Sequence, residues 1–220
     1  PFRPCKHIRS FNALSFDDTA WFTLSNRGFT LNVVSPYSVE ELGLNRLPGI
    51  ASERLDPSAL NSGRALALRD GPILFHRVSP AELPDRDAIF LMPPVTSSLF
   101  QVKPALQNAQ LTRWADEHQL LSYLSFQAMD PRSIQAFETV PPWAQPLITT
   151  SKGVAGFAGT RAGHRYVALG LEILPFEGRK SPAASILLLN MLKWLGQSGF
   201  GTGYGEVLKP FASTSSFEKV

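Results

Sequence analysis

The sequence predicts an α/β domain, a mostly parallel sheet covered on both faces with one β-hairpin attached. Three observations carry that expectation. Short apolar, β-prone runs recur between turn residues from Phe29 to Met92. A glycine-bearing pair of strands occupies 153–158 and 165–171. An almost wholly apolar helix follows at 183–195. Continuous apolar strands joined by crossovers suit a sheet buried on both faces.

The elements follow in order. Residues 1–27 form an arm, in which Trp21-Phe22-Thr23-Leu24 is either the last strand of a preceding domain or an edge strand of this one. Gly28 opens the first buried strand, 29–34, which Ser35-Pro36 ends. Ser38 and Glu41 are spaced as a capping box for a short helix that Pro48-Gly49 stops. Further strands are expected at 51–55, 73–78 and 87–92, the last closed by Pro93-Pro94. Leu111, Trp114, Ala115, His118 and Leu121 fall at helical spacing and predict a short helix. Pro141-Pro142-Trp143 is a rigid turn before a strand at 144–149. The hairpin has Arg161-Ala162-Gly163-His164 at its tip. Ser181-Pro182 caps the apolar helix, and Gly196 ends it. The organisation is therefore an arm (1–27), an α/β domain (28–196) and a Gly/Ser/Thr-rich tail (197–220) that reads as a linker.

Composition narrows the function classes. Of the 220 residues, 44% are hydrophobic and 18% charged, which fits a chain with a real core. The 18 prolines exceed the 11 or so of average usage, so long irregular connections are expected. A net charge of +3 from scattered Lys and Arg gives no basic stripe for nucleic acid. No run of 18 apolar residues is present to span a membrane. The chain does not begin with methionine, and it reads as a piece of a longer protein.

Several residues are candidates for chemistry. Cys5 is the single cysteine; it lies in the arm, outside any strand-to-helix elbow, and reads as a bystander thiol. It cannot supply a paired-thiolate zinc site. The four histidines, His7, His76, His118 and His164, lack metal-ligand spacing. His76 lies in an apolar strand and reads as a satisfied core or edge residue. Ser97 and Ser98 follow the fourth strand, at the carboxyl edge where open α/β sheets bind ligands. With His118 they make the one candidate hydrolase set. Asp116-Glu117-His118 does not converge if helical, because successive side chains point about 100° apart. The glycines 196–205 follow a helix rather than a strand and lack Gly-Lys-Ser/Thr, so they are not a phosphate loop.

One stretch carries a family resemblance. Tyr166-Val167-Ala168-Leu169-Gly170-Leu171, a polar loop at 172–180, and the helix from Ser181-Pro182 through Asn190 to Trp194-Leu195 form a recurring ending. This ending resembles that of the class I glutamine amidotransferase-like domains of bacterial membrane proteins in the BatA and aerotolerance group, which often carry a von Willebrand factor A domain. Leu111-Thr112-Arg113-Trp114-Ala115-Asp116-Glu117-His118-Gln119-Leu120-Leu121 resembles the family segment in which an acidic stretch precedes His-Pro-Leu-Leu, with Gln119 in place of the proline. Pro141-Pro142-Trp143-Ala144 resembles the lead-in to the strand before the hairpin. Pro175 and Phe176 depart from the family's acidic loop.

The resemblance implies a flavodoxin-like, layered sheet with helices on both faces. It also implies a location on the extracytoplasmic, periplasmic side of the bacterial inner membrane, as a soluble domain of a membrane-anchored parent. The cysteine nucleophile of true amidotransferases has no counterpart here. The expectation is therefore a non-catalytic interaction domain, with no cofactor and no metal, that contacts other proteins of a membrane-associated assembly. Its expected contact surface comprises Ser97, Ser98, His118, Phe176, Glu177 and Arg179, because loops on a rigid scaffold carry recognition. The alternatives are a hydrolase using Ser97 or Ser98 with His118, and a small-ligand module with a deep pocket at the sheet's carboxyl edge.

Overall fold

The computed structural model describes residues 29–47, 49–61, 69–105, 110–125, 129, 131, 133–175 and 182–196. The arm, the tail, the helix cap Ser181 and the loop residues Phe176, Glu177 and Arg179 lie outside these.

Among the described residues the chain is a mixed α/β protein built on one eight-stranded sheet. In chain order the strands are β1 (Phe29–Val34), β2 (Ile50–Leu55), β3 (Ile73–His76), β4 (Ala88–Leu91), β5 (Leu111–Trp114), β6 (Ala144–Thr150), β7 (Gly153–Arg161) and β8 (His164–Leu169). Their order across the sheet is β2-β1-β3-β4-β8-β7-β6-β5. The first five of that order run parallel, and the last four pair antiparallel. Strands β5, β6 and β7 are thus an antiparallel extension inserted in the chain between β4 and its parallel partner β8.

The strands sort their side chains by the period-two rule. Leu74, Ile89, Leu91, Val167 and Leu169 enter a core on one face, which the single α-helix among the described residues, α1 (Ala183–Gly196), covers with Ala184, Leu187, Leu188, Met191 and Leu195. Ile73, Phe75, Phe90, Tyr166 and Ala168 enter a second core on the other face. There the cover comes from irregular segments carrying Phe100, Val102, Phe137 and Trp143, in place of an expected helical layer. Edge-to-face rings lock it: Phe90–Phe100 at 5.0 Å and Phe137–Phe157 at 4.7 Å between centroids. Loops suffice because each delivers one aromatic ring of large buried area.

Most expected elements are present, and two differ. The expected helix over 111–121 is strand β5 followed by a one-turn 3-10 helix, Gln119–Leu121. Strand β6 offers an open ladder, and pairing Leu111 with Thr150 and Trp114 with Ile148 satisfies the backbone while keeping both side chains half-buried. The short helix after Ser38 is a run of turns ending in a 3-10 helix, Leu44–Arg46. Its capping box does form. Ser38 N–H donates to Glu41 Oε2 at 2.6 Å, and Glu41 N–H donates to Ser38 Oγ at 3.1 Å. The first of these bonds holds the Glu41 carboxyl below its usual range. The β7–β8 hairpin closes through Ala162 (φ 51°) and Gly163 (φ 84°), a two-residue loop with both centres left-handed that matches the strands' twist.

Candidate functional site

The carboxyl ends of the parallel strands hold a buried polar network. Ser35 follows β1, His76 ends β3, Arg77 follows it, and Glu172 lies three residues past β8. Ser35 Oγ is 3.1 Å from His76 Nδ1. His76 Nε2 is 3.3 Å from Glu172 Oε1. Arg77 donates twice to the other carboxylate oxygen, with Nε at 2.8 Å and a terminal nitrogen beside it. The His76 and Glu172 side chains are 2% and 5% exposed, whereas Arg77 is 45% exposed. Tyr37 lies over the imidazole with its ring centroid 5.7 Å away, and its N–H donates to Ser35 Oγ at 3.1 Å.

A carboxylate can only accept, so His76 donates through its Nε2–H to Glu172 Oε1. Burial alone would raise the Glu172 carboxyl. The hydrogen bonds and charges of His76 and Arg77 outweigh it and hold the group below its usual range. The backbone here is also unusual. Arg77 (φ 58°) and Met92 (φ 50°) are left-handed non-glycine residues at the ends of adjacent strands. Arg77 N–H bonds Leu91 O and Met92 N–H bonds Leu169 O, so the three strand ends are stitched together. Such strained positions gather at functional sites.

Ser97, Ser98 and His118 lie elsewhere. Ser97 Oγ donates to Ser79 Oγ at 2.8 Å and accepts from the N–H groups of Leu99 and Phe100. Ser98 Oγ donates to Ala81 O. His118 caps the 3-10 turn, accepting from Leu120 N–H at 3.2 Å, and packs on Trp194 with centroids 5.8 Å apart. Burial lowers its pKa. Phe100, held by Ser97, belongs to the core on one face; Leu120, Leu121 and Trp194, around His118, belong to the other. The sheet separates Ser97 and Ser98 from His118, so the candidate hydrolase set does not assemble. Asp116 and Glu117 beside His118 are exposed.

The small-ligand alternative calls for a deep pocket at the carboxyl edge. A recess of about 610 Å³ follows edge strand β2, lined by Thr30, Ser38, Glu53, Arg54 and Arg69 among others, and it is open to solvent. Among the described residues no group of three metal-ligating side chains converges, and no helix is long and apolar enough to cross a membrane.

Sequence reasoning reads His76 as a satisfied core or edge histidine, and it is the former. The reading is correct for its burial and its partners, but it misses the network. Glu172 is visible only as the start of a polar loop, and nothing local links it to His76, 96 positions away. The usable signal is a titratable residue inside an apolar strand, which must find a partner.

No protein-family model matches the sequence, and no curated protein matches it. Solved structures similar to this chain include a cytoplasmic protein from Salmonella typhimurium, with a TM-score of 0.48 and 9% sequence identity over 76% of this chain and 98% of that one.

Proposed function

We propose that this chain is a non-catalytic interaction domain of a larger, membrane-anchored cell-envelope protein, facing the periplasm and contacting other proteins of a membrane-associated assembly. We read its sheet as flavodoxin-like, of the class I glutamine amidotransferase-like kind. The parallel order β2-β1-β3-β4-β8 supports that reading. It leads outward in opposite directions from β1 and β3, which makes their carboxyl ends the switch point where such sheets place ligands. The family resemblance of the β8–α1 ending supports the envelope setting.

One observation carries the non-catalytic reading: the switch point is filled by the Ser35–His76–Glu172–Arg77 network, whose groups bond one another. Ser35 is fully buried, and its Oγ already meets His76 and the Tyr37 amide. The next residue is Pro36, which has no N–H. The backbone donor that a nucleophile elbow places after its serine is therefore missing. Residues exposed at the carboxyl edge include Tyr37 after β1, Val95 after β4 and Arg77, with the acidic Asp56 after β2. Tyr and Arg are the residues that most often anchor protein interfaces.

The test is chemical and cellular together. The domain is treated with a fluorophosphonate, p-nitrophenyl acetate and glutamine. The expected result is no covalent serine adduct and no turnover above that of the Ser35→Ala variant. The parent chain is expected in the membrane fraction, with this domain accessible to protease from the periplasm. An adduct on Ser35 or Ser97 would overturn the non-catalytic reading, and a freely soluble cytosolic parent would overturn the envelope setting.

A further inference from the structure

We propose that the buried Glu172 carboxylate is a charge-operated clasp, holding the carboxyl ends of β1, β3 and β8 together and letting that end of the sheet open locally when it is neutralised.

Strands β3 and β8 are not neighbours, because β4 lies between them. β4 stops at Leu91, and Met92 turns the chain away in a left-handed conformation. Over that gap Glu172 extends its side chain to β3, meeting His76 with one oxygen and Arg77 with the other. His76 continues the connection to Ser35 at the end of β1. A single carboxylate thus ties the end of β8 to the ends of β3 and β1 across the gap left by β4, through groups that are far apart in sequence.

Opening is local because of what the clasp opposes. Arg77 and Met92 sit in a backbone region that side chains rarely adopt, and such positions persist only while their surroundings over-determine them. Arg77 is half exposed, so without an anionic partner its guanidinium moves to water easily. The rest of β8 keeps its ladders to β4 and β7, and Glu172 N–H is held separately by Ser133 O.

The charged and titratable groups facing Glu172 include His76 and Arg77 from β3; from the segment after β1, the Tyr37 ring lies against the imidazole. At the end of β2, Arg54 Nε reaches the Ser35 carbonyl at 3.4 Å, one residue removed from the carboxylate's own partners. Both cations beside the network, Arg54 and Arg77, stay charged in acid, so the carboxylate is the charge that acid removes.

The experiment is amide hydrogen exchange on the wild-type chain and Glu172→Gln. The reporters are the amides of Tyr37, Arg77, Met92 and Ile173; the references are amides of the β7–β8 hairpin and α1. At neutral pH the variant is expected to lose about tenfold or more of the reporters' protection while the references keep theirs. Wild type is expected to show the same selective loss as pH falls below the ordinary carboxylate value of about 4.3. Reporters that stay protected in the variant overturn the clasp. So do reporters and references that lose protection together, which would mean global unfolding. If Glu172→Gln does not fold, Arg77→Gln and the wild-type acid series decide the question by the same criterion.

Discussion

Glu172 meets His76 past the end of an intervening strand, with Oε1 3.3 Å from Nε2. The two residues bury nearly all of their side chains there, so each satisfies a polar group that water no longer reaches. Removing one member leaves the other buried without its partner, and that penalty exceeds the net strength of the pair.

Glu172→Ala is expected to destabilise the fold by about 2–4 kcal/mol, because it strands a buried imidazole. Arg77→Ala should cost less, about 1 kcal/mol, since its half-exposed guanidinium is already partly screened by solvent. Urea unfolding of the two variants at neutral pH checks the ranking. Equal losses would show that the two partners contribute alike.

The depressed Glu172 pKa sets a direction for pH dependence. Its contribution is fully present above the ordinary carboxylate value, about 4.3, and is lost as pH falls through the lower folded value. The gap between wild type and Glu172→Gln in urea midpoint should therefore close as pH drops through that window. A gap that persists in strong acid would contradict the assignment.

His118 has the same sign for a different reason. Burial lowers its pKa, so the folded chain favours the neutral ring that accepts from Leu120 N–H. Its contribution is present above the ordinary value of about 6.5 and falls away below it. Imidazole titration by NMR should give a midpoint below that of a free histidine.

Two glycines are predicted to resist substitution unequally. At Gly170 an added Cβ would overlap the Gln135 carbonyl, a backbone atom that cannot move without breaking the Gln135 N–H bond to Gly170 O. At Gly156 its one close approach would be to the end of the Leu169 side chain, with Ile148 in ordinary contact. Gly170→Ala should cost about 2–3 kcal/mol and Gly156→Ala about half of that. Thermal or urea unfolding gives the comparison.

Tyr123 offers the reverse case. It is 91% exposed and held at φ 62°, while Asn190 Nδ2 grips the carbonyls of Leu120 and Ser122 beside it. Tyr123→Gly removes left-handed strain and little packing, so stability should hold or rise by up to about 1 kcal/mol. Asn190→Leu should cost about 1–2 kcal/mol, because two carbonyls lose their donor. A Tyr123→Gly variant markedly less stable than wild type would mean that the ring makes contacts its exposure does not suggest.

Much of the scaffold is legible in the sequence because its signals are local. Strand β1, the β7–β8 hairpin and α1 each combine an apolar run with a definite stop: Ser35-Pro36, Ala162-Gly163 and Gly196. Strand β5 is not legible. Leu111, Trp114 and Ala115 suit a helix as well as a strand, and the free edge of β6, which decides between them, is a tertiary fact. The cover of the second face is illegible for a similar reason, since Phe100 and Phe137 lie in proline-rich connections without period. The network at the strand ends needs three strands in register before Ser35, His76 and Glu172 can meet. Ser97 and His118 look like partners only because sequence does not show on which side of a sheet a residue falls.

The insertion of β5, β6 and β7 between β4 and β8 has a consequence for how the chain is made. The central strand of the finished sheet, flanked by β4 and β7, is the last of the eight to leave the ribosome. Until it emerges, the parallel strands have an open, apolar edge at Ile89 and Phe90, and the antiparallel meander has nothing to join. Pairings so distant in sequence form slowly, and an unfilled central slot invites other strands. Translation that stalls before His164 should leave two sticky halves in place of one small domain, so this chain depends on the stretch from His164 onward, and on chaperone cover until that stretch arrives, more than its modest size suggests.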